Sequence, residues 1–169
     1  MFEFDKNIAG SLTGKIKDFL KEDLLSSEIS YDMPVYIIRK DKILALFKML
    51  YDDKEYQFQF LTTLCGIHYP DKQQLGVIYH LHSFKNNLRI RVKSFTDIND
   101  PVFDTITGIF ATANWMERET YDFFGITFKG HPNLKRILNM DEMDYFPMRK
   151  EFPLEDQTRD DKNDEMFGR

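Results

Sequence analysis

Apolar positions follow two different periodicities in the first part of the chain, and each indicates a different element. Apolar residues recur at helical spacing in residues 11–25 and again in residues 40–51. Four further segments are predicted to be extended: residues 35–38, 58–69, 75–83 and 87–95. The last two are joined at Lys85-Asn86-Asn87, which is typical of a hairpin turn. This order of elements predicts an α+β fold, in which helices pack on one face of a mostly antiparallel sheet.

A third helical pattern follows Pro101 and continues as far as Gly125. Asp104 or Thr105 is a candidate cap for its first turn, and Gly125 suits the left-handed conformation in which many helices end. We therefore predict a long helix here, and we place the end of an α+β domain at residue 125.

Charged residues occupy both faces of this predicted helix. Glu117 falls in the middle of its apolar face, where a carboxylate is costly unless it is paired, so we expect it to bond Arg136 or backbone amides. The opposite face carries one large aromatic residue and three charged ones: Trp115, Arg118, Glu119 and Asp122. Because Arg118 and Asp122 are one turn apart, we expect them to pair.

The pattern changes after Gly125. Residues 126–154 have few periodic apolar positions and several glycines and prolines, which predicts an extended arm that binds a partner. Residues 155–169 are dominated by charged residues and are predicted to be an acidic, flexible tail. Composition alone leaves open whether such segments lie on a neighbouring subunit or have no role.

Charge and composition narrow the class of protein. The net charge of −5 argues against a general nucleic-acid binder, and no apolar run is long enough to cross a membrane. The chain is therefore predicted to be soluble by itself. With one cysteine, no internal disulfide forms, which fits a reducing compartment. Strand 87–95 places Arg89, Arg91 and Lys93 on one face. That stripe is either a solvated sheet face or a surface that meets an acidic partner or a phosphate.

Few residues of the sequence are candidates for binding a cofactor or a metal ion. One cysteine does not supply the four thiolates of a usual iron–sulfur site, and the dinucleotide-binding and Walker glycine motifs are absent from the sequence. Cys65 lies among apolar neighbours and is predicted to be a buried thiol. His80 and His82 share a strand face but lack a third ligand type nearby, so we predict no metal site. We likewise predict no catalytic residue.

Three stretches carry a resemblance to a known family: residues 117–126 (ERETYDFFGI), 130–132 (GHP) and 134–138 (LKRIL). In this order they resemble the signature of the thirty-kilodalton subunit of respiratory complex I, the proton-pumping NADH:quinone oxidoreductase. The resemblance covers roughly residues 30–155. It departs at Tyr145-Phe146, where the family usually has Gly-His or Gly-Tyr before the proline.

The resemblance implies a subunit without a redox centre of its own. NADH, FMN, iron–sulfur clusters and quinone would be bound in other subunits of the complex, and no nucleic acid is expected. The implied partners are the large quinone-site subunit and neighbouring iron–sulfur subunits, on the cytoplasmic side of the bacterial inner (plasma) membrane. Membrane contact would occur only through the complex. The nearest alternative is the equivalent subunit of a related membrane-bound hydrogenase.

The same resemblance implies a docking surface at the helix end and along the arm: Trp115, Glu117, Arg118, Glu119, Asp122, His131, Pro132, Lys135, Arg136, Pro147, Arg149, Lys150 and Pro153. The alternative interpretation is that the motif only holds the domain together. A rival from another class is a free-standing enzyme with acid–base groups at Glu117, Glu119, Asp122 and His131. It is disfavoured because Glu117 and Glu119 project to different sides of a helix. A nucleic-acid module using the basic stripe is disfavoured by the net charge.

Overall fold

The structure, a computed structural model, describes residues 6–152. Its longer elements follow in chain order: α1 (Lys6–Leu20), β1 (Leu24–Ser30), β2 (Met33–Ile38), α2 (Ile43–Asp52), β3 (Phe60–Tyr69), β4 (Gln74–Ser83), β5 (Leu88–Asp97), β6 (Val102–Asp104), α3 (Ala113–Phe124) and β7 (Thr127–Lys129).

Strands β1 to β5 form one sheet in the order β1-β2-β5-β4-β3. All neighbours pair antiparallel except β2 and β5, which pair parallel. Strands β6 and β7 form a separate parallel pair. The prediction of an α+β fold with a mostly antiparallel sheet is confirmed.

The helices pack on one face of the large sheet. On α2, the Phe47 ring meets Tyr79 of β4 edge-on, with ring centroids 5.0 Å apart. On α1, the Thr13 hydroxyl lies 2.9 Å from the Tyr36 hydroxyl of β2. Helix α3 lies so close to β3 that a Cβ on Gly66 would fall 2.5 Å from the ring of Phe124. Glycine at this position is therefore required by the close approach of the helix.

Three predictions from the sequence are wrong in detail. The third helix begins at Ala113 rather than at Asp104 or Thr105, because residues 102–104 form a strand against β7 and residues 105–112 form turns. Helix α1 ends at Leu20, and the apolar residues that follow belong to β1. Cys65 is exposed, since it points away from the helix-covered face of the sheet.

The misplaced helix start has a physical reason. Ile106 and Phe110 are buried at helical spacing, and the Phe110 N–H bonds the Ile106 carbonyl as in a helix. The turn does not extend backwards, because the Thr105 N–H donates instead to the Lys129 carbonyl at the end of β7. A single buried turn thus produces the same apolar spacing as a continuous helix.

Candidate functional site

Glu117 lies inside the domain, fully buried on α3. One carboxylate oxygen accepts the Ile106 N–H at 2.8 Å, and the other accepts the Thr105 hydroxyl at 2.6 Å. Burial raises the pKa of Glu117 to about 7, against the opposing effect of these two hydrogen bonds. Of the two partners expected from the sequence, the backbone amide is the one that Glu117 uses. Arg136 bonds elsewhere.

Asp122 is also fully buried, and its carboxylate receives five hydrogen bonds. The backbone N–H groups of residues 137, 138 and 139 converge on one oxygen at 3.0, 2.8 and 3.0 Å. The Asn139 amide and the Arg136 guanidinium bond the other oxygen at 3.0 and 2.9 Å. Burial acts to raise the pKa of Asp122, but the bonds from Asn139, Leu138 and Arg136 outweigh it and hold the pKa well below its usual range.

The expected pair between Arg118 and Asp122 is absent. Asp122 does not share the solvent face of Trp115, because the chain after Gly125 turns back and covers that side of the helix. Arg118 instead donates to the carbonyls of Lys135 and Arg136, at 3.1 and 3.2 Å.

Arg136 connects the helix to the arm. Its guanidinium donates to the backbone carbonyl and the carboxylate of Asp122 and to the carbonyls of Met143 and Tyr145. It also lies 5.1 Å from the centre of the Phe146 ring. The side chain is largely buried, so one residue holds both ends of the loop that returns along α3.

The arm lies on its own domain as far as Phe152. The Met148 N–H donates to the Phe123 carbonyl at 3.1 Å, and the Arg149 guanidinium donates to the Phe124 carbonyl at 2.8 Å. The Lys150 N–H donates to Nδ1 of His68 on β3 at 3.0 Å. Arg149 therefore has a backbone acceptor inside this chain. Residues 153–169, including the predicted contact Pro153 and the predicted tail, lie outside the described residues.

A second set of the predicted residues faces solvent. Trp115 is 63% exposed, and the Arg118 guanidinium lies 5.1 Å from its ring centre. The segment that returns along α3 presents Leu138 and Met140, which are 65% and 70% exposed. We call this the Trp115 surface and define it by its exposed members: Trp115, Glu119, Pro132, Lys135, Leu138 and Met140.

The remaining predicted residues lie between these two sets. Nε2 of His131 lies 3.1 Å from the Asn114 carbonyl, while its Nδ1 accepts the Asn133 N–H at 3.0 Å. Both ring nitrogens therefore bond the backbone. Pro147 is half-buried next to Phe146, and the Lys150 side chain is exposed.

This arrangement does not form an acid–base centre. Glu117 is buried and Glu119 is exposed, so the two carboxylates do not reach a common substrate, as the helix geometry predicted. Within residues 6–152, no group of three or more His, Cys, Asp or Glu side chains is placed to hold a metal ion.

Comparison with known proteins shows the family to which this fold and motif belong. The family model of the respiratory-chain NADH dehydrogenase, 30 Kd subunit, matches residues 36–158. The chain belongs to this family. The resemblance on residues 117–138 is thereby confirmed.

A relative from Roseiflexus sp. (strain RS-1), which by its name is a subunit of NADH-quinone oxidoreductase, is 42% identical over 130 residues. The match covers 76% of this chain and 74% of that protein. This family member is thus part of an oxidoreductase complex.

Two solved structures share the fold. A trypsin-resistant fragment of Nqo5 is 25% identical, with a TM-score of 0.58, and covers 73% of this chain and 98% of the fragment. A chain of the membrane-bound sulfane sulfur reductase, an archaeal respiratory membrane complex, has a TM-score of 0.73 at 18% identity and covers 86% of both chains. At that identity the second likeness shows the fold alone. In residues 6–152, no helix has the length and apolar character of a membrane span.

The sequence had not shown that Asp122 is the centre of the loop. The sequence does contain a signal, which is the pair of glycines at positions 125 and 130. Both have positive φ in the structure, and the chain reverses there and brings residues 136–139 back to α3. A chain reversal that follows an aspartate on a helix indicates that backbone N–H groups of the returning segment, here those of residues 137–139, bond that aspartate.

Proposed function

We propose that this chain is a non-redox peripheral-arm subunit of an NADH:quinone oxidoreductase, complex I. It docks on the quinone-site subunit and the neighbouring iron–sulfur subunits, and so supports electron transfer from NADH to quinone coupled to proton translocation. The observation that carries the proposal is a family motif whose buried members hold an exposed tryptophan on a rigid support.

Some residues of the motif brace the domain, and others form the docking surface. Asp122 and Arg136 hold the helix and the returning loop together through buried hydrogen bonds, and Glu117 ties the helix to residues 105 and 106. Trp115 and Arg118 then present a preformed surface, and Trp and Arg are the residue types that most often dominate binding energy. Because the support is ordered before docking, less conformational entropy is lost on association.

In this proposal the chain itself binds no cofactor. NADH, FMN, the iron–sulfur clusters and quinone lie in other subunits, and the chain meets the membrane only through the complex, on the cytoplasmic side. Its contribution is to fix the geometry of the subunits that carry electrons. Pro147, Lys150 and Pro153 extend the docking surface along the arm.

The test is to replace Trp115 with Ala and measure how much of the quinone-site subunit is recovered with the tagged full chain. We expect at least a tenfold loss of recovery, which corresponds to more than about 1.4 kcal/mol of binding free energy. The isolated variant should melt within a few degrees of the parent chain, because Trp115 is largely exposed.

Tyr31→Ala is the matched control, since Tyr31 is an aromatic residue that is 99% exposed in the turn between β1 and β2. It should leave recovery unchanged. Normal recovery with Trp115→Ala, or equal losses in the two variants, would contradict docking through this surface. The subunits that co-purify also separate complex I from the alternative, a related membrane-bound hydrogenase.

A further inference from the structure

Among residues 6–152, no helix packs on the outer face of the large sheet, which we call the open face. Helices α1, α2 and α3 pack on the opposite face, through contacts to Tyr36, Tyr79 and Gly66. By strand alternation and register, the outer face is formed by Phe60, Thr63, Cys65, Ile67, Gly76, Ile78, His80, His82, Arg89, Arg91, Lys93 and Phe95 on β3 to β5, with Val35 and Ile37 on β2 and Ser26, Glu28 and Ser30 on β1.

This face does not have the composition of a solvated one. An antiparallel sheet with one wet face usually alternates apolar residues inside with polar residues outside. Here Ile37, Ile67, Ile78 and Phe95 point outward among the cations and are only half-buried. Phe60 and the adjoining Phe84, with ring centroids 5.3 Å apart, are 42% and 71% exposed at one end.

Positive charge is concentrated in the middle of the open face. Arg89, Arg91 and Lys93 lie side by side on β5, whereas the acidic residues of this face, Glu28 on β1 and Asp97 at the end of β5, lie away from the centre. Among residues 6–152, none of the three cations forms an ion pair with a carboxylate. A chain of net charge −5 therefore keeps an unneutralised basic patch on one surface.

His80 on this face also favours a basic patch that is available to a partner. Burial, and then the charges of Arg91, Arg89 and Lys93, lower the pKa of His80, so its ring is neutral at pH 7. The neutral Nε2 accepts the Arg91 Nε–H at 2.8 Å. This bond orients the guanidinium and leaves its two terminal nitrogens free of any partner among residues 6–152.

The area of the open face is of the order of one side of a protein interface, although somewhat smaller. Strands lie about 4.8 Å apart and rise about 3.3 Å per residue, so the five-stranded face spans about 650 Å². A standard protein interface buries about 800 Å² on each partner. Compared with the rest of a protein surface, interfaces contain more Arg and aromatic residues and fewer Asp and Glu residues, and the middle of the open face has this composition.

We propose that the open sheet face is a second docking surface, whose occupant is a carboxylate-bearing segment of a neighbouring subunit. Its carboxylates bond Arg89, Arg91 and Lys93, while its apolar side chains cover Ile78 and Phe95. The proposal rests on the proposed function, because it needs an assembled complex.

Cys65 is a native probe of this face. It is the chain's one cysteine, and it is exposed on the same face, with Ile78 of β4 between it and Lys93. The experiment measures the rate at which iodoacetamide alkylates Cys65, in the isolated full chain and in the assembled complex, at one fixed pH. We expect the rate in the complex to be at least tenfold lower.

Arg89→Glu with Lys93→Glu should raise the rate in the assembled complex towards that of the isolated chain. Burial and the charge of Glu119 raise the pKa of the Cys65 thiol, and the charge of Arg91 opposes them, so Arg91 is left unchanged in this variant to keep its direct effect on alkylation constant. Lys17→Glu with Lys48→Glu changes the net charge equally on exposed helix positions and should leave the rate in the complex low. An equal rate in the isolated chain and the complex would overturn the proposal, and so would equal effects of the two double variants.

A photoactivatable cross-linker attached to Cys65 identifies the occupant. A cross-linked peptide of another subunit with excess Asp and Glu supports the proposal. RNA, residues 153–169 of this chain, or a neutral or basic peptide overturns it. A complex that assembles through Trp115 but leaves Cys65 reactive would refute this inference and leave the proposed function standing.

Discussion

Helix α3 carries two carboxylates that are equally buried but have opposite surroundings. Glu117 faces the core and has two neutral donors, one of them a hydroxyl. Asp122 faces the returning loop and has five hydrogen bonds, one of them from a guanidinium. The pKa of Glu117 rises to about 7, whereas the pKa of Asp122 falls well below its usual range.

This difference shows that burial alone does not decide the charge of a carboxylate. Removal from water disfavours the ionised form at both sites, and the number and charge of the donors decides the outcome. Asp122 is therefore a permanent anion that organises the loop. Glu117 is a brace whose charge depends on pH near neutrality.

Replacing Asp122 with Asn should have the largest effect. The amide of Asn brings a donor towards the backbone N–H groups of residues 137–139 and leaves the Arg136 charge buried without a counter-ion. Breaking a buried pair in this way typically costs about 3–5 kcal/mol. Urea denaturation measures the loss, and limited proteolysis should show cleavage within residues 136–152.

Glu119→Gln is the control, because Glu119 is an exposed carboxylate on the same helix. It should change the free energy of unfolding by less than about 0.5 kcal/mol. A loss below about 1 kcal/mol in Asp122→Asn would show that the loop is held by other contacts.

The second prediction concerns pH. Because the folded pKa of Glu117 is about 7 and the unfolded value is 4.5, the folded chain holds this proton more tightly in that interval. Its contribution to stability is therefore greatest below about pH 4.5 and decreases as pH rises to about 7. Asp122 acts in the opposite direction, since its lowered pKa stabilises the fold above the unfolded value of 3.8 and this stability is lost at lower pH.

Glu117→Gln should remove the first of these effects. The difference in unfolding free energy between parent and variant should change by about 2–3 kcal/mol between about pH 5 and pH 8, with the variant favoured at the higher pH. Urea titrations at several pH values measure it. Parallel pH profiles for parent and variant would mean that Glu117 is ionised throughout this range.

Thr105→Val should have the smallest effect. It removes the hydroxyl that bonds the Glu117 carboxylate at 2.6 Å, which should cost about 1 kcal/mol at about pH 8. Because that bond lowers the pKa of Glu117, its loss should move the pH-dependent change upward. Thr62→Val on the exposed side of β3 is the control and should alter neither quantity. An unchanged pH profile in Thr105→Val would exclude this hydroxyl as a determinant.

Much of the fold was predictable because its signals are local. The alternation in β5 and the helical spacing in α2 both predicted elements that the structure contains. The helix start failed because a single turn at Ile106 and Phe110 has the same apolar spacing as a helix. Membership of the family was predictable from residues 117–138, since the motif is contiguous in sequence.

The candidate site was only partly predictable. Placing Glu117 on the apolar face required nothing beyond helical geometry, and its burial is confirmed. The partners of Asp122 and Arg136 depend on where the chain returns after Gly125, and helical spacing therefore indicated the wrong pair with Arg118.

By itself the sequence determined the types of most elements, the family and the presence of a carboxylate among apolar residues, because periodicity and motif order are properties of neighbouring positions. Only the tertiary structure decided which groups meet across the fold: the five donors on Asp122, the arm on β3 and the basic sheet face on which no helix of residues 6–152 packs. Such contacts join residues that are distant in the chain, and they depend on strand order and on two glycine turns.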